Sequence, residues 1–293
     1  MSQKHRKTSC LVSAYIFYKY FRRNSGFKKH LKDKIVFITG AASGIGKQVA
    51  ILMAEEGAKV VIADIDMKKA EDLVKEILGK NFKAMAVYCD VMKVESVRKA
   101  AEVVRKMFGD PDILVNNAGI VSGKGITELT VENVERTFRV NVISHFYTIK
   151  EFLPSMLARN QGHIVTIASL AGLAGTSKQT DYSASKHAAI GLDESLRNEL
   201  KSINSNVKTT CINPYYIDTG MFKGIKSLIP LLKEAYVSQR IVDAIKKEEK
   251  VVVLPKILNI VYLVRALFNV ENFDRIMNLV GVNRSMETFT GRL

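Results

Sequence analysis

The chain has 293 residues, 47% of them hydrophobic and 25% charged, enough to bury a substantial core in an ordinary globular composition. Its three cysteines, Cys10, Cys89 and Cys211, are odd in number and far apart, which excludes a disulfide framework and a zinc-binding spacing. The net charge of +15 is uneven: ten Lys/Arg against the single acid Asp33 give residues 1–34 a charge of +9. No nucleic-acid recognition motif accompanies that charge, so we expect no nucleic-acid partner.

Residues 1–33 read as a separate head. The run CLVSAYIFYKYF, Cys10–Phe21, is apolar and aromatic and flanked by cations. It is shorter than the roughly 20 residues that a spanning helix needs, and no small-residue cleavage site follows it. An anchor lying in the interface of an anionic membrane surface fits this pattern.

From Lys34 to Pro255 the chain alternates. Short apolar, β-branched runs (KIVFITG, KVVIADI, FKAMAVYCD, DILVNN, HIVTIAS, VKTTCINP, KVVVLP) are separated by amphipathic stretches, such as those at 44–56, 68–78, 94–108, 131–158 and 182–201. Continuous apolar strands alternating with helices predict an α/β fold, a doubly wound parallel sheet covered on both faces, in one domain over 34–255. Residues 256–293 add an apolar helix, KILNIVYLVRALF, and a tail; the helix fits a core or a membrane-facing role, and we favour the membrane.

The first strand runs into TGAASGIG, with Gly40, Gly44 and Gly46 at the strand-to-helix turn and Ser43 and Ile45 between them. Glycines there allow a tight turn and close approach of a pyrophosphate, and the helix N-terminus presents free N–H groups to it. The second strand ends at Asp64, eighteen residues beyond Gly46. A carboxylate at that point accepts hydrogen bonds from the ribose hydroxyls and repels a 2′-phosphate. Neither Ser43 nor Ile65 supplies a cation for such a phosphate, so NAD is expected rather than NADP. Asp66 competes for the role but falls beyond the strand.

Tyr182 and Lys186 stand four apart in DYSASK, on one helical face. An ammonium beside a phenol favours the phenolate, so the pair reads as an acid/base unit. Taken in order, TGAASGIG, NNAG (116–119), IVTIAS and DYSASK resemble the short-chain dehydrogenase/reductase family over about residues 34–255. The resemblance implies a single-domain Rossmann fold. It further implies that Ser169 hydrogen-bonds the substrate oxygen, that Tyr182 exchanges the hydroxyl proton, and that Lys186 lowers the tyrosine pKa and holds the nicotinamide ribose. By the same likeness Asn141 holds a relay water, Asn117 and Asp90 lie at the cofactor, and Ile217 and Thr219 hold the carboxamide. Tyr215 stands where the family often has glycine.

Met221, Phe222, Ile225, Leu228, Ile229, Leu231 and Leu232 form an apolar candidate lid over a lipophilic substrate. NNAGIVSGK, FLPSMLARNQGHIVTIAS, YYIDTGMFKG and GVNRSMETFTG resemble the retinol-dehydrogenase branch, which groups with 17β-hydroxysteroid dehydrogenases. The likeness implies NAD-linked oxidation of a membrane-dissolved alcohol, retinol first and a hydroxysteroid second, at the endoplasmic reticulum or lipid droplets with the domain facing the cytosol. It also implies a homodimer. A non-catalytic membrane protein keeping the fold is the alternative that the intact Asn-Ser-Tyr-Lys set argues against. No histidine grouping suggests a metal site.

Overall fold

A computed structural model describes residues 28–291. The expected anchor at Cys10–Phe21 lies outside these residues. Seven parallel strands form one sheet in the order β3-β2-β1-β4-β5-β6-β7. They are β1 (Ile35–Thr39), β2 (Lys59–Asp64), β3 (Lys83–Tyr88), β4 (Ile113–Asn116), β5 (His163–Ile167), β6 (Lys208–Pro214) and β7 (Val251–Leu254).

Helices α1 (Gly44–Glu55), α2 (Met67–Leu78) and α7 (Glu234–Lys246) cover one face; α3 (Val94–Met107), α5 (Ser144–Ala158) and α6 (Thr180–Ser202) cover the other. Helix α4 (Val131–Phe138) leads through a π-helical stretch, Arg139–Ile143, into α5. Strand β1 shows why its apolar run is unbroken: Val36 and Ile38 enter one core, Ile35 and Phe37 the other. Phe37 meets Phe152 of α5 with ring centroids 4.8 Å apart. Each such fully buried ring is worth about 2–3 kcal/mol.

Packing extends past both ends of the segment 34–255. Residues before Lys34 pack on the body: Leu31 is 1% exposed within the core, and Lys29 N–H donates to the Lys246 carbonyl at 2.7 Å. The charge count hid this, because one apolar residue outweighs the cations around it once it is buried. Residues 256–291 also return to the body. After β7 the chain makes α8 (Ile260–Leu267) and α9 (Val270–Leu279), then folds back so that Met277 and Val282 reach the central cleft. Among the described residues no helix is long and apolar enough to cross a membrane.

Strand order reverses between β1 and β4, which pair in parallel at Val36↔Ile113. The crevice outside the carboxyl ends of the strands at such a reversal is where this architecture binds ligands. The candidate site occupies it.

Candidate active site

A cleft of about 320 Å³ runs along the carboxyl ends of the strands, from Asp64, Ile65 and Met92 to Met277 and Val282. At its first end the chain leaves β1 through Gly40 (φ 62°) and enters α1 at Gly44 (φ 56°), left-handed conformations that suit glycine. A Cβ at Gly40 would stand 2.9 Å from Ala118 Cα, and one at Gly46 would stand 2.5 Å from Asn117 Nδ2 and from the Gly40 carbonyl. The glycines thus let the loop, α1 and the NNAG turn close on one another. Gly40, Ser43, Gly44 and Ile45 line the cleft, and Ser43 is the N-cap of α1.

Asn117, expected at the cofactor, lines the cleft but spends its amide on the loop: Nδ2 donates to the Thr39 carbonyl at 2.9 Å and the Gly40 carbonyl at 3.0 Å. Asp64 sits at the end of β2 as expected. Its Oδ2 accepts from Ala42 N–H at 2.9 Å and its Oδ1 from Asp66 N–H at 3.0 Å. Asp66, the competitor, faces away and caps α2 through Lys69 N–H at 3.1 Å. Asp90 lines the same end, accepting from Met92 N–H at 3.1 Å and pairing with Lys93 at 3.2 Å.

The middle of the cleft gathers the proposed acid/base group. Helix α6 carries Tyr182 and Lys186 as buried neighbours, with the ammonium 5.6 Å from the phenol ring centroid. Lys186 Nζ donates to the Ile167 carbonyl at 2.8 Å, and burial pulls its pKa down to about 8. Burial pushes the Tyr182 pKa upward, opposed by its hydrogen bond with Ser169. Burial is the larger of these influences on the phenol, and the ammonium lies over its ring.

Ser169 follows β5, its Oγ accepting from Ala171 N–H at 3.1 Å and facing the Pro214 carbonyl at 3.5 Å. Asn141 lies in the π-helical stretch, where one turn departs from the regular ladder. Its side chain makes three hydrogen bonds: Oδ1 accepts from Ile120 N–H at 2.9 Å, and Nδ2 donates to the Ile120 carbonyl and to Ser185 Oγ, both at 3.0 Å. A Cβ on Gly119 would lie 3.5 Å from Asn141 Oδ1 and 3.6 Å from Lys186 Nζ, so both groups converge on that backbone position.

The far end is apolar. Tyr215, Tyr216, Ile217, Thr219, Met221 and Phe222 line it from the segment after β6. Phe222 makes edge contacts with Tyr182 (5.9 Å between centroids) and Tyr216 (5.0 Å). Only two of the seven candidate lid residues face the cleft. Residues 218–231 form turns and bends rather than a helix; Leu232 packs into the core, and Leu228 is 78% exposed.

Several residues escaped the sequence reading. Tyr216, Met277 and Val282 line the cleft; Met277 carried no motif, and Val282 lies in GVNRSMETFTG, whose sequence did not place it at the site. Asp181, adjacent to Tyr182, accepts from Ser122 Oγ at 2.6 Å and Thr137 Oγ1 at 2.7 Å, tying the loop after β4 to the first turn of α6. The signal was present in DYSASK: an acid in a helix's first turn is electrostatically favoured there. His187 bonds the Ser183 carbonyl along its own helix. His145 is buried, with its pKa pushed down to about 3 by burial and, secondarily, by Lys186. No metal-binding cluster occurs among the described residues.

The glycine turn, the α1 N-terminus and the Asp64 carboxylate form one continuous wall of the cleft, and their chemistry fits a nicotinamide dinucleotide. Comparison with known proteins agrees. The family model described as short chain dehydrogenase matches residues 34–228. The chain is 36% identical over 297 residues to "Short-chain dehydrogenase/reductase family 16C member 6" of Bos taurus, covering 97% of this chain and 93% of that one. It is 37% identical to "Epidermal retinol dehydrogenase 2" of Homo sapiens, covering 89% and 87%, and 37% identical to "Retinol dehydrogenase 10-B" of Danio rerio, covering 89% and 86%. A solved short-chain dehydrogenase/reductase from Burkholderia phymatum, in complex with NAD, superposes with a TM-score of 0.74 at 27% identity, covering 81% of this chain and 95% of that one. The chain therefore belongs to the short-chain dehydrogenase/reductase family, as an alcohol dehydrogenase-type oxidoreductase that uses a nicotinamide cofactor.

Proposed function

We propose that this protein oxidises a lipophilic alcohol to its carbonyl with NAD, all-trans-retinol being the first candidate. The observation that carries the reading is the meeting, in one cleft, of Ser169, Tyr182 and Lys186 with an aromatic and aliphatic wall of Tyr216, Phe222, Met277 and Val282. An apolar substrate body rests against that wall, and only its hydroxyl needs polar partners.

Gly40, Ser43, Gly44, Ile45 and Gly46 would hold the cofactor pyrophosphate; Asp64 would take the adenosine ribose, and Ile217 and Thr219 the carboxamide. Bound there, the cofactor supplies the hydride acceptor. The chain's own residues do the rest. Ser169 Oγ donates to the substrate oxygen and fixes its position. Tyr182 accepts the hydroxyl proton. Lys186 holds positive charge beside the ring, which favours the phenolate as the proton arrives and leaves. Asn141 secures the loop at Ile120 and helix α6 at Ser185, holding that constellation in register. NAD is preferred to NADP because the Asp64 carboxylate repels a 2′-phosphate.

The substrate reading also suits a protein resting on the endoplasmic reticulum membrane or a lipid droplet. Ile257, Ile260, Leu263, Leu267, Val270 and Leu279 are exposed on and beside α8 and α9, close in sequence to the cleft residues Met277 and Val282. The basic head supports the same surface. A homodimer remains the assembly implied by family resemblance.

The test is NADH formation by the full-length, detergent-solubilised protein with all-trans-retinol and with estradiol, under NAD and under NADP, with Tyr182→Phe as control. Turnover of retinol that the substitution abolishes supports the proposal. Preference for estradiol moves the protein to the hydroxysteroid reading. Cofactor binding without turnover of either alcohol sinks the lipophilic-alcohol assignment in favour of a silent fold.

A further inference from the structure

Beyond α9, a tail rich in polar residues buries two side chains almost completely. Gly281 turns the chain in the left-handed region (φ 71°), a 3-10 turn follows at Val282–Arg284, and Ser285 and Met286 are each 1% exposed. Neither burial is explained by the sheet or its covering helices. Both are explained by what these residues hold.

Ser285 Oγ donates to the Val282 carbonyl at 2.7 Å, which leaves it as the acceptor for Tyr216 Oη at 3.0 Å. The Ser285 carbonyl accepts from Lys226 N–H at 3.0 Å. One tail residue therefore grips both ends of the segment between Tyr216 and Lys226, which has no helix or ladder of its own apart from the bridge of Ile217 to Leu232. The next residue holds the opposite side: Met286 Sδ accepts from Gln179 Nε2 at 3.1 Å. Gln179 is fully buried at the start of α6, three residues before Tyr182, and its Oε1 accepts from the cleft-lining Thr176 at 2.6 Å.

The rest of the tail lies across two glycines that admit no side chain. Thr288 Oγ1 donates to the Gly224 carbonyl, and Thr290 N–H donates to the Lys223 carbonyl at 2.9 Å. A Cβ on Gly224 would stand 2.3 Å from the Thr288 carbonyl oxygen, and one on Gly123 would stand 2.0 Å from the Phe289 ring. Those glycines belong to the loops after β6 and after β4, which flank the cleft.

We propose that Ser285 and Met286 are positioning residues that determine specificity: through Tyr216 and Gln179 the tail sets the far wall of the substrate end and so the length of apolar substrate that fits. The contact runs tail to Tyr216, Tyr216 to Phe222, and Phe222 to the edge of Tyr182. A short alcohol needs only Ser169 and Tyr182. A long one must also rest on Tyr216, Phe222 and Val282, whose places depend on the tail. This inference rests on the lipophilic-alcohol reading for its substrate but not for its structural content.

The experiment compares the full-length protein with its Ser285→Ala and Met286→Ala variants, with NAD present throughout. Hydrogen exchange at the Lys226 amide needs no substrate; loss of the Tyr216 partner is expected to speed it about tenfold, the factor that one buried hydrogen bond represents. Steady-state kinetics with 1-butanol and 1-dodecanol then divide the effect. KM for dodecanol is expected to rise about tenfold, while butanol kinetics and the NAD Kd stay within about twofold. Tyr216→Phe combined with Ser285→Ala is expected to cost no more than either alone, as contacting partners do. Unchanged exchange overturns the proposal, as does an equal rise in KM for both alcohols. A wild-type protein that oxidises neither alcohol overturns the functional reading instead, and the exchange result still decides whether the tail holds the wall.

Discussion

The two ends of the cleft are built in different ways. The cofactor end is made where regular elements terminate: β1 into α1, the end of β2, the end of β4. Its contacts are mainly backbone to backbone, or short side chains to backbone, as when Asn117 holds the Thr39 and Gly40 carbonyls. The substrate end is made of turns and of a tail that returns from the far end of the chain, joined by side-chain pairs such as Tyr216 with Ser285, 69 residues apart. A dinucleotide demands one fixed shape, which element ends supply rigidly. Irregular walls held by side-chain pairs can change without disturbing the sheet that carries the first end.

The comparison breaks most sharply at the border between the ends. Tyr182→Phe removes the proposed proton acceptor but keeps the ring contact with Phe222. Alcohol oxidation should fall by about 10²–10⁴-fold with NAD affinity unchanged, as followed by NADH absorbance and by cofactor titration. A matching loss of NAD binding would place the residue at the cofactor end instead.

Asp64→Ser should leave the substrate end intact and lower the ratio of NAD to NADP efficiency by about tenfold or more, because the charge that repels a 2′-phosphate is gone. The ratio of kcat/KM with the two cofactors reads it; an unchanged ratio would mean that the Ala42 and Asp66 amides, not the ribose, are this carboxylate's whole purpose.

Gly46→Ala tests the rigidity of the cofactor end. Its Cβ would press on Asn117 and the Gly40 carbonyl at 2.5 Å, and overpacking of this kind costs about 1–3 kcal/mol. Urea unfolding and NAD titration should both weaken, whereas an alanine at the exposed Leu228 of the substrate end should change neither measurably.

The effect farthest from both ends is one of pH. Burial lowers the Lys29 pKa from 10.5 to about 8. Between those values the unfolded chain binds more protons than the folded one, so stability rises as pH is raised through that window. Lys29→Met should flatten this rise in the urea midpoint between pH 8 and 10, leaving the contribution of Lys186, which has the same sign.

Much of the cofactor end was legible before folding was considered. Gly40, Gly44, Gly46 and Asp64 are placed by adjacency to strand ends, and strand ends follow from apolar runs. Tyr182 and Lys186 share a helical face by spacing alone. The depth at which the Tyr182 ring is buried and the side from which the ammonium meets it were not legible, because spacing fixes only the shared face. The lid was legible only at two of its seven residues: hydrophobicity marked Met221 and Phe222 but equally Leu228, which solvent covers.

By itself, then, the order of residues determined the parallel sheet, the crevice at its reversal, and the glycine turn and Asp64 that border that crevice, because period, turn chemistry and helix N-termini act over a few neighbours. Only tertiary structure decided that Leu31 belongs to the core, that Met277 and Val282 reach the cleft, and that Ser285 meets Tyr216. Those outcomes depend on long-range packing, in which distant segments meet only after the sheet has brought them together, and no local pattern along the chain encodes the meeting.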